Sequence, residues 1–196
     1  MLEIKNIYKT FNPGTINEKV ALNGLSLKLN EGDFVTVIGG NGAGKSTMLN
    51  AVAGVWPVDE GQIIIDGTDV TKLSEYKRAA YLGRVFQDPM TGTAATMGIE
   101  ENLALAKRRG KTRLLRPGIT KAERAEYKEL LKILNLGLED RLTSKVGLLS
   151  GGQRQALTLL MATLQKPKLL LLDEHTAALD PKTAAKVLDI TDKIVN

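Results

Sequence analysis

Residues 39–46 read GGNGAGKS and fit the pattern G-x-x-x-x-G-K-[ST] at every fixed position. Glycines let the chain turn tightly with no Cβ atoms in the way, so backbone N–H groups can surround a triphosphate. We expect Lys45 to reach the β- and γ-phosphates and the Ser46 hydroxyl to ligate Mg²⁺. The motif predicts a nucleotide site formed by Gly39, Gly40, Asn41, Gly42, Ala43, Gly44, Lys45, Ser46 and Thr47.

Two carboxylates, Asp173 and Glu174, follow the apolar run LLLL at residues 169–172. A run without a polar face is typical of a strand inside a parallel sheet. Adjacent carboxylates there would be costly without a cation, which we expect Mg²⁺ to supply. Because neighbours on a strand point to opposite sides, Asp173 is predicted to lie in the Mg²⁺ shell and Glu174 to polarise an attacking water. The alternative is an acidic pair at a solvated sheet edge.

Residues 149–153 read LSGGQ, with Ser150 placed 105 positions after Lys45. Ser150 suits the N-cap of a helix that we expect to run through Leu164. The N-terminus of a helix opened by small residues is a second anion site. By itself, Ser-Gly-Gly could equally be a loop followed by a helix cap.

The elements that must position these residues can be read from the pattern of apolar residues and turn signals. Strands are predicted near residues 2–7, 25–29, 34–38, 62–65, 82–86 and 169–173, and a helix at 46–54 that ends at a glycine. Asn23-Gly24 is compatible with a hairpin turn. Residues 88–166 are helical in character: Thr120 with Glu123 forms a capping box, and the helix that follows is expected to stop at Gly137.

The order of the three motifs, a phosphate loop, then LSGGQ, then LLLLDE, resembles the ATP-binding cassette of ABC ATPases over residues 1–196. The resemblance implies an α/β fold: a P-loop NTPase with a mostly parallel core sheet, an N-terminal antiparallel β subdomain and an inserted helical subdomain at about 88–166. It also implies a dimer with a second copy of the chain, in which two ATP molecules are sandwiched head to tail. The signature residues of one copy, Ser150, Gly151, Gly152 and Gln153, would then contact the ATP held by the other.

Three further residues are carried over from the family by their place in the sequence. Gln87, in FQD, looks like the glutamine that senses Mg²⁺ or water and transmits to the helical insert. Phe11 looks like the aromatic that stacks on adenine, although Tyr8 competes for that role. Asp180, in AALD, looks like the residue of the D-loop and is also a helix N-cap followed by proline.

The chain departs from the family pattern in two ways. His175, the single histidine, follows Glu174 where the family usually has proline. We do not expect it to be the family's switch histidine, which comes after one more helix and one more strand. Because the sequence ends before that point, we expect it to be a cassette incomplete at its C-terminus, which binds ATP but by itself shows little or no turnover.

Composition narrows the class of protein. The 196 residues suit one domain with an insert, and the absence of cysteine excludes disulfides and thiolate metal sites. No apolar run is long enough to cross a membrane. The net charge is +5, and six of ten positions from 107 to 116 are basic. We favour a solvated loop there over a nucleic-acid or lipid patch because no aromatic residues interleave, so no nucleic acid is expected as a partner.

The predicted function is ATP hydrolysis that drives transport through separate membrane permease subunits, in a bacterial importer of amino-acid-like solutes. An extracellular solute-binding protein would belong to the same system, and the chain would lie in the cytoplasm, on the inner face of the membrane. A soluble ABC ATPase that moves DNA or ribosomes and a nucleotide-binding regulator without turnover remain as alternatives. The 105-residue gap excludes the long coiled coils of the DNA-repair relatives.

Overall fold

The computed structural model describes residues 1–88, 90–111, 117–173 and 185. The chain divides into two compact units, Met1–Gly83 and Arg84–Asn196, which are described separately below. Across the described residues, none of the helices combines the length and the apolar character that a bilayer-spanning helix needs.

The first unit contains a four-stranded sheet in the order β2-β1-β3-β4. Its strands are β1 (Leu2–Phe11), β2 (Lys19–Leu29), β3 (Glu60–Ile65) and β4 (Thr68–Asp69), and each neighbouring pair is antiparallel. Apolar side chains of β1 and β3 are buried, among them Ile4, Ile7, Ile63 and Ile65. Ile4 and Ile7 are three residues apart, and the register of β1 with β2 shifts between them. The predicted N-terminal antiparallel sheet is confirmed.

The prediction of a hairpin turn at Asn23-Gly24 is wrong, because both residues lie inside β2. The register there changes from Ile7↔Leu25 to Lys9↔Leu22, so β2 carries one residue more than β1 over this stretch. Gly24 has a φ of 69°, and a Cβ on it would lie 2.9 Å from the Tyr8 hydroxyl. The turn-forming dipeptide therefore makes a β-bulge against Tyr8 rather than a chain reversal.

Helix α1 (Lys45–Ala53) follows the phosphate loop as predicted and ends at Gly54, whose φ of 84° gives a left-handed cap. Its C-terminal carbonyls are bound by Arg78, the last residue of the short helix α2 (Glu75–Arg78). Arg78 is buried and donates to the carbonyl oxygens of Ala51 at 2.7 Å and Val52 at 3.0 Å. It also donates to two loop carbonyls, those of Leu73 and Thr71.

The strand predicted at residues 34–38 is not formed. These residues have no regular secondary structure, and Phe34 and Ile38 are 76% and 91% exposed. An apolar run favours a buried strand only where a neighbouring strand takes its backbone hydrogen bonds and other layers cover its faces. In the described part of the first unit, no strand pairs with this segment.

The second unit combines a two-stranded parallel sheet with helices. Strand β5 (Leu82–Val85), whose last two residues belong to this unit, pairs with β6 (Leu169–Leu172), and the Asp173 N–H donates to the Val85 carbonyl at 3.1 Å. The helices are α3 (Ile99–Lys107), α4 (Lys121–Lys132) and α5 (Gly151–Thr163). They share a core that includes Leu103, Tyr127, Leu131, Leu138 and Leu157.

The helical character of the region between β5 and β6 is therefore as predicted, while the proposed bounds 88–166 stay a prediction. Thr120 caps α4: its hydroxyl accepts from the Glu123 N–H at 3.2 Å, and Glu123 accepts from the Thr120 N–H at 2.8 Å. α4 ends at Lys132 rather than at Gly137, which instead begins a single 3-10 turn with a φ of 69°.

Candidate nucleotide-binding site

The phosphate loop wraps around the amino group of Lys45. The Nζ atom donates to the carbonyl oxygen of Gly39 at 2.6 Å and to that of Gly40 at 3.1 Å. Gly42 and Gly44 have φ values of 80° and 90°, which only glycine adopts readily. These two residues supply the tight turn that the sequence motif predicts.

The loop rests against strand β2. A Cβ built on Gly44 would lie 2.6 Å from the carbonyl oxygen of Ala21 and 3.5 Å from a methyl group of Leu22. A side chain at this position would force the backbone to shift, since a Cβ atom essentially never lies within 3.0 Å of a non-bonded heavy atom. Gly44 is also the N-cap of α1, so this contact fixes where the helix begins.

The arrangement suits an anionic ligand. Residues 39–43 and Ser46 are exposed, so that phosphate groups can reach the loop backbone. Ser46 and Thr47 occupy the first turn of α1, whose N–H groups and positive end attract negative charge, and no acidic residue lies in that turn. The residues predicted to bind the phosphates therefore lie together in one open loop that surrounds the Lys45 amino group.

Phe11 lies at the end of β1 and is half-buried. Its ring packs edge-to-face with Trp56 at a centroid distance of 4.9 Å and an interplanar angle of 81°. Tyr8, the competing aromatic, places its hydroxyl against the bulge at Gly24. The choice of Phe11 for adenine stacking stays a prediction.

Asp59 holds the end of β1 in place. Its carboxylate accepts from Lys9 Nζ at 2.8 Å and from the Thr10 N–H at 2.6 Å. These two hydrogen bonds, led by the one from Lys9, lower the pKa of Asp59 from its ordinary value. The carboxylate therefore stays ionised at neutral pH and fixes the backbone next to Phe11.

In the second unit, Gln87 and Asp173 follow the ends of β5 and β6. Gln87 is exposed, and Asp173 is half-buried with its Oδ2 4.0 Å from Arg84 Nη2. The sequence argument expected Mg²⁺ to compensate a buried carboxylate, but the protein supplies a cation of its own in Arg84. The Mg²⁺ role of Asp173 therefore stays a prediction.

Ser150 caps the signature helix α5. Its hydroxyl oxygen accepts from the Gln153 N–H at 3.3 Å, and the Ser150 N–H donates to Gln153 Oε1 at 3.1 Å. This reciprocal pair sets the helix N-terminus at Gly151, as predicted. Because the hydroxyl oxygen acts as acceptor in this bond, its own proton can be donated to an anion.

Two buried polar residues of α5 were missed by the sequence analysis. Gln155 donates to the carbonyl oxygen of Phe86, next to Gln87, at 3.1 Å, and Arg154 donates to that of Val146 at 3.0 Å. Both are 1% exposed. They tie the signature helix to the start of the Gln87 loop and to the turn before LSGGQ. A polar residue in a helix gives no sequence signal of burial.

The basic stretch contributes internal contacts. Lys107 pairs with Glu126, Arg108 lies 3.1 Å from Glu123, and Arg109 donates to the Ala162 carbonyl at 3.2 Å. Burial lowers the pKa of Arg109 from its ordinary value. The expected solvated loop is therefore wrong for residues 107–109, because Lys107 ends α3 and all three side chains are half-buried and bound to partners.

Three of the residues discussed above, Glu174, His175 and Asp180, lie outside the described residues. Within the part of the chain that the structure describes, no group of three or more His, Cys, Asp or Glu side chains could hold a metal ion. The predicted Mg²⁺ ligands, Ser46, Gln87 and Asp173, contain a single carboxylate and would not form such a group.

Known proteins share both the sequence and the fold. The family model for ABC transporters matches residues 22–177. The chain is 48% identical over 201 residues to the tyrosine transport ATP-binding protein of Clostridioides difficile, covering 100% of this chain and 77% of that one. It is 37% identical over 199 residues to the methionine import ATP-binding protein MetN of Corynebacterium diphtheriae, covering 98% of this chain but 54% of MetN.

A solved structure matches this chain with a TM-score of 0.82 and 32% sequence identity. The match covers 100% of this chain and 83% of the chain in that structure. It is a dimer of the ATP-binding cassette MJ0796 in a post-hydrolysis state, bound to ADP and Pi. This likeness confirms the predicted P-loop NTPase fold. The chain therefore belongs to the ABC transporter family, as one of its ATP-hydrolysing, ATP-binding cassettes.

Proposed function

We propose that this protein binds ATP with Mg²⁺ at its phosphate loop, and that hydrolysis in a head-to-tail dimer drives transport of an amino-acid-like solute through separate permease subunits. The observation that carries the proposal is the loop itself, in which Gly42 and Gly44 turn the chain around Lys45 at the open N-terminus of α1. That arrangement offers a cation, a helix N-terminus and free backbone N–H groups to a polyphosphate.

The roles of Mg²⁺ binding, phosphate binding and water activation are assigned to individual residues. Ser46, Gln87 and Asp173 are proposed to hold Mg²⁺, which neutralises charge on the β- and γ-phosphates when bound. Lys45 would exchange its bonds with the loop carbonyls for the phosphate oxygens. Glu174 is proposed to polarise the attacking water.

The dimer is proposed because one nucleotide does not need two phosphate-binding helix ends from a single chain. The N-termini of α1 and α5 are both free of acidic residues in their first turns. In a two-fold arrangement the α5 end of one copy, with Ser150, would meet the ATP of the other. The dimeric form of MJ0796 supports this arrangement.

The transported solute is inferred from the names of relatives. A tyrosine transport protein is 48% identical, whereas a spermidine/putrescine import protein of Haemophilus ducreyi is 37% identical and a lipoprotein-releasing protein of Acinetobacter baylyi is 35% identical. We therefore favour an amino-acid-like solute, with an extracellular solute-binding protein in the same system. The chain would lie on the cytoplasmic face of the membrane, bound to its permease. The named relatives are transport proteins, which disfavours the soluble ABC ATPase and the regulator without turnover.

Calorimetry with ATP and Mg²⁺ tests the binding step. Lys45→Ala should weaken ATP binding strongly and leave the unfolding transition unchanged, because the side chain is held only by two exposed loop carbonyls. Lys28→Ala, at the other end of β2, is the control and should bind like wild type. Unchanged ATP affinity in Lys45→Ala would reject the site.

Uptake into vesicles tests the transport step. The protein, reconstituted with its permease subunits, should take up tyrosine in an ATP-dependent way and leave spermidine outside. Spermidine uptake without tyrosine uptake would overturn the solute class while leaving the ATP site in place. ATP hydrolysis that no permease stimulates would favour the soluble ATPase, and binding without phosphate release would favour the regulator.

A further inference from the structure

Lys19, the first residue of β2, lies outside the phosphate-loop motif but next to the loop. A Cβ built on Gly42 would lie 3.6 Å from Lys19 Nζ. The Lys19 backbone pairs with Phe11 across the β1–β2 ladder. Lys19 is therefore adjacent both to Phe11, the aromatic predicted to stack on adenine, and to the middle of the phosphate loop.

The fold determines this position. Two residues along β2, the Ala21 carbonyl makes the contact that excludes a side chain at Gly44. The first residues of β2 thus run along the loop, from Gly42 at Lys19 to Gly44 at Ala21.

The charge of Lys19 is not neutralised locally. Within the described residues its ammonium group has neither a hydrogen bond nor an ion-pair partner, whereas Lys9 on the neighbouring strand is bound to Asp59 at 2.8 Å. An unpaired cation adjoining a glycine-rich loop raises the positive potential where an anion would bind. No hydrogen bond or ion pair within the described residues must break before this ammonium group can contact a phosphate.

We propose that Lys19 is a second phosphate-binding lysine, which contacts the polyphosphate of the nucleotide held by the loop. The inference rests on the proposed ATP site and adds a residue that the motif does not include. Lysine suits this role because its ammonium is a compact point charge on a flexible stem, which can follow phosphate oxygens as they move.

The test measures the affinity of the purified protein for ATP, ADP and adenosine by calorimetry. Lys19→Ala should weaken ATP and ADP binding about tenfold, or about 1.4 kcal/mol, and leave adenosine binding unchanged. Lys19→Arg should recover most of the affinity because it keeps the charge. Lys28→Ala removes the same charge from the far end of β2 and should bind like wild type. Lys19 is exposed, so the unfolding midpoint of all these variants should match wild type.

The outcomes separate this inference from the proposed function. If Lys45→Ala weakens ATP binding while Lys19→Ala does not, Lys19 is not a phosphate ligand and this inference fails alone. If Lys19→Ala weakens adenosine binding as much as ATP binding, the side chain acts on the base or on Phe11, and the phosphate assignment is wrong. If wild type does not bind ATP, the proposed function fails and this inference fails with it.

Discussion

Gly44→Ala should damage the site and the fold together. The new Cβ would lie 2.6 Å from the Ala21 carbonyl oxygen, so one backbone must move by about 0.4 Å to reach the 3.0 Å limit. A left-handed φ costs a non-glycine residue about 1–2 kcal/mol, and overpacking costs about 1–3 kcal/mol more. We therefore expect the free energy of unfolding to fall by about 2–5 kcal/mol.

Gly67→Ala is the matched control. Gly67 has a similar φ of 77°, but a Cβ there would meet nothing within 4 Å. It should therefore show only the backbone cost of about 1–2 kcal/mol. The small stabilisation that alanine brings by restricting the unfolded chain applies to both variants and cancels in the comparison.

Urea unfolding of the two variants, followed by calorimetry with ATP, measures the effect. Gly44→Ala should be less stable than Gly67→Ala by about 1–3 kcal/mol and should lose ATP affinity, whereas Gly67→Ala should keep it. Equal stability of the two variants, with wild-type ATP affinity in Gly44→Ala, would show that the loop does not rest on Ala21 as described.

Three other predictions concern different parts of the chain. Arg78→Met removes the side-chain donor from four carbonyls, of which Ala51 keeps the Gly54 N–H, and should lower the free energy of unfolding by about 3 kcal/mol; a loss below about 1 kcal/mol in urea would contradict the buried geometry. The pKa of Asp59 is lowered, mainly by Lys9, so its contribution to stability is present above its ordinary pKa and is lost as pH falls through the lower folded value. The stability difference between wild type and Asp59→Asn, followed by thermal unfolding, should thus be constant near neutral pH and shrink under acid conditions; a difference that persists at low pH would point to another cause. Glu174→Gln should bind ATP, lose turnover and trap a dimer on sizing with ATP and Mg²⁺, and wild-type hydrolysis in this variant would place the base elsewhere.

Some features were predictable because their physics is local. Thr120 and Glu123, three residues apart, each bind the other's backbone, and Ser150 and Gln153 do the same. Both helix caps could therefore be predicted from the sequence alone. The phosphate loop was predictable for the same reason, because its turns need positive φ angles and glycine is the residue that adopts them readily.

Other features depended on which segments meet. Residues 34–38 have the apolar pattern of a buried strand, but the described part of the first unit provides no neighbour to pair with it. Asn23-Gly24 has the composition of a hairpin, yet the opposing strand turns it into a bulge against Tyr8. In both cases the local preference was overridden by neighbouring strands: no pairing partner in the described part of the unit for residues 34–38, and a shifted register at Asn23-Gly24.

The sequence by itself determined the family, the phosphate loop and the caps of α4 and α5, because each rests on residues a few positions apart. Only the tertiary structure decided the partners of buried or isolated charges: Arg84 near Asp173, Arg78 on the end of α1, and Lys19 beside Gly42. A cation and its partner tens of residues away carry no shared local signal. Their meeting depends on strand register and helix packing, which are set by the whole fold.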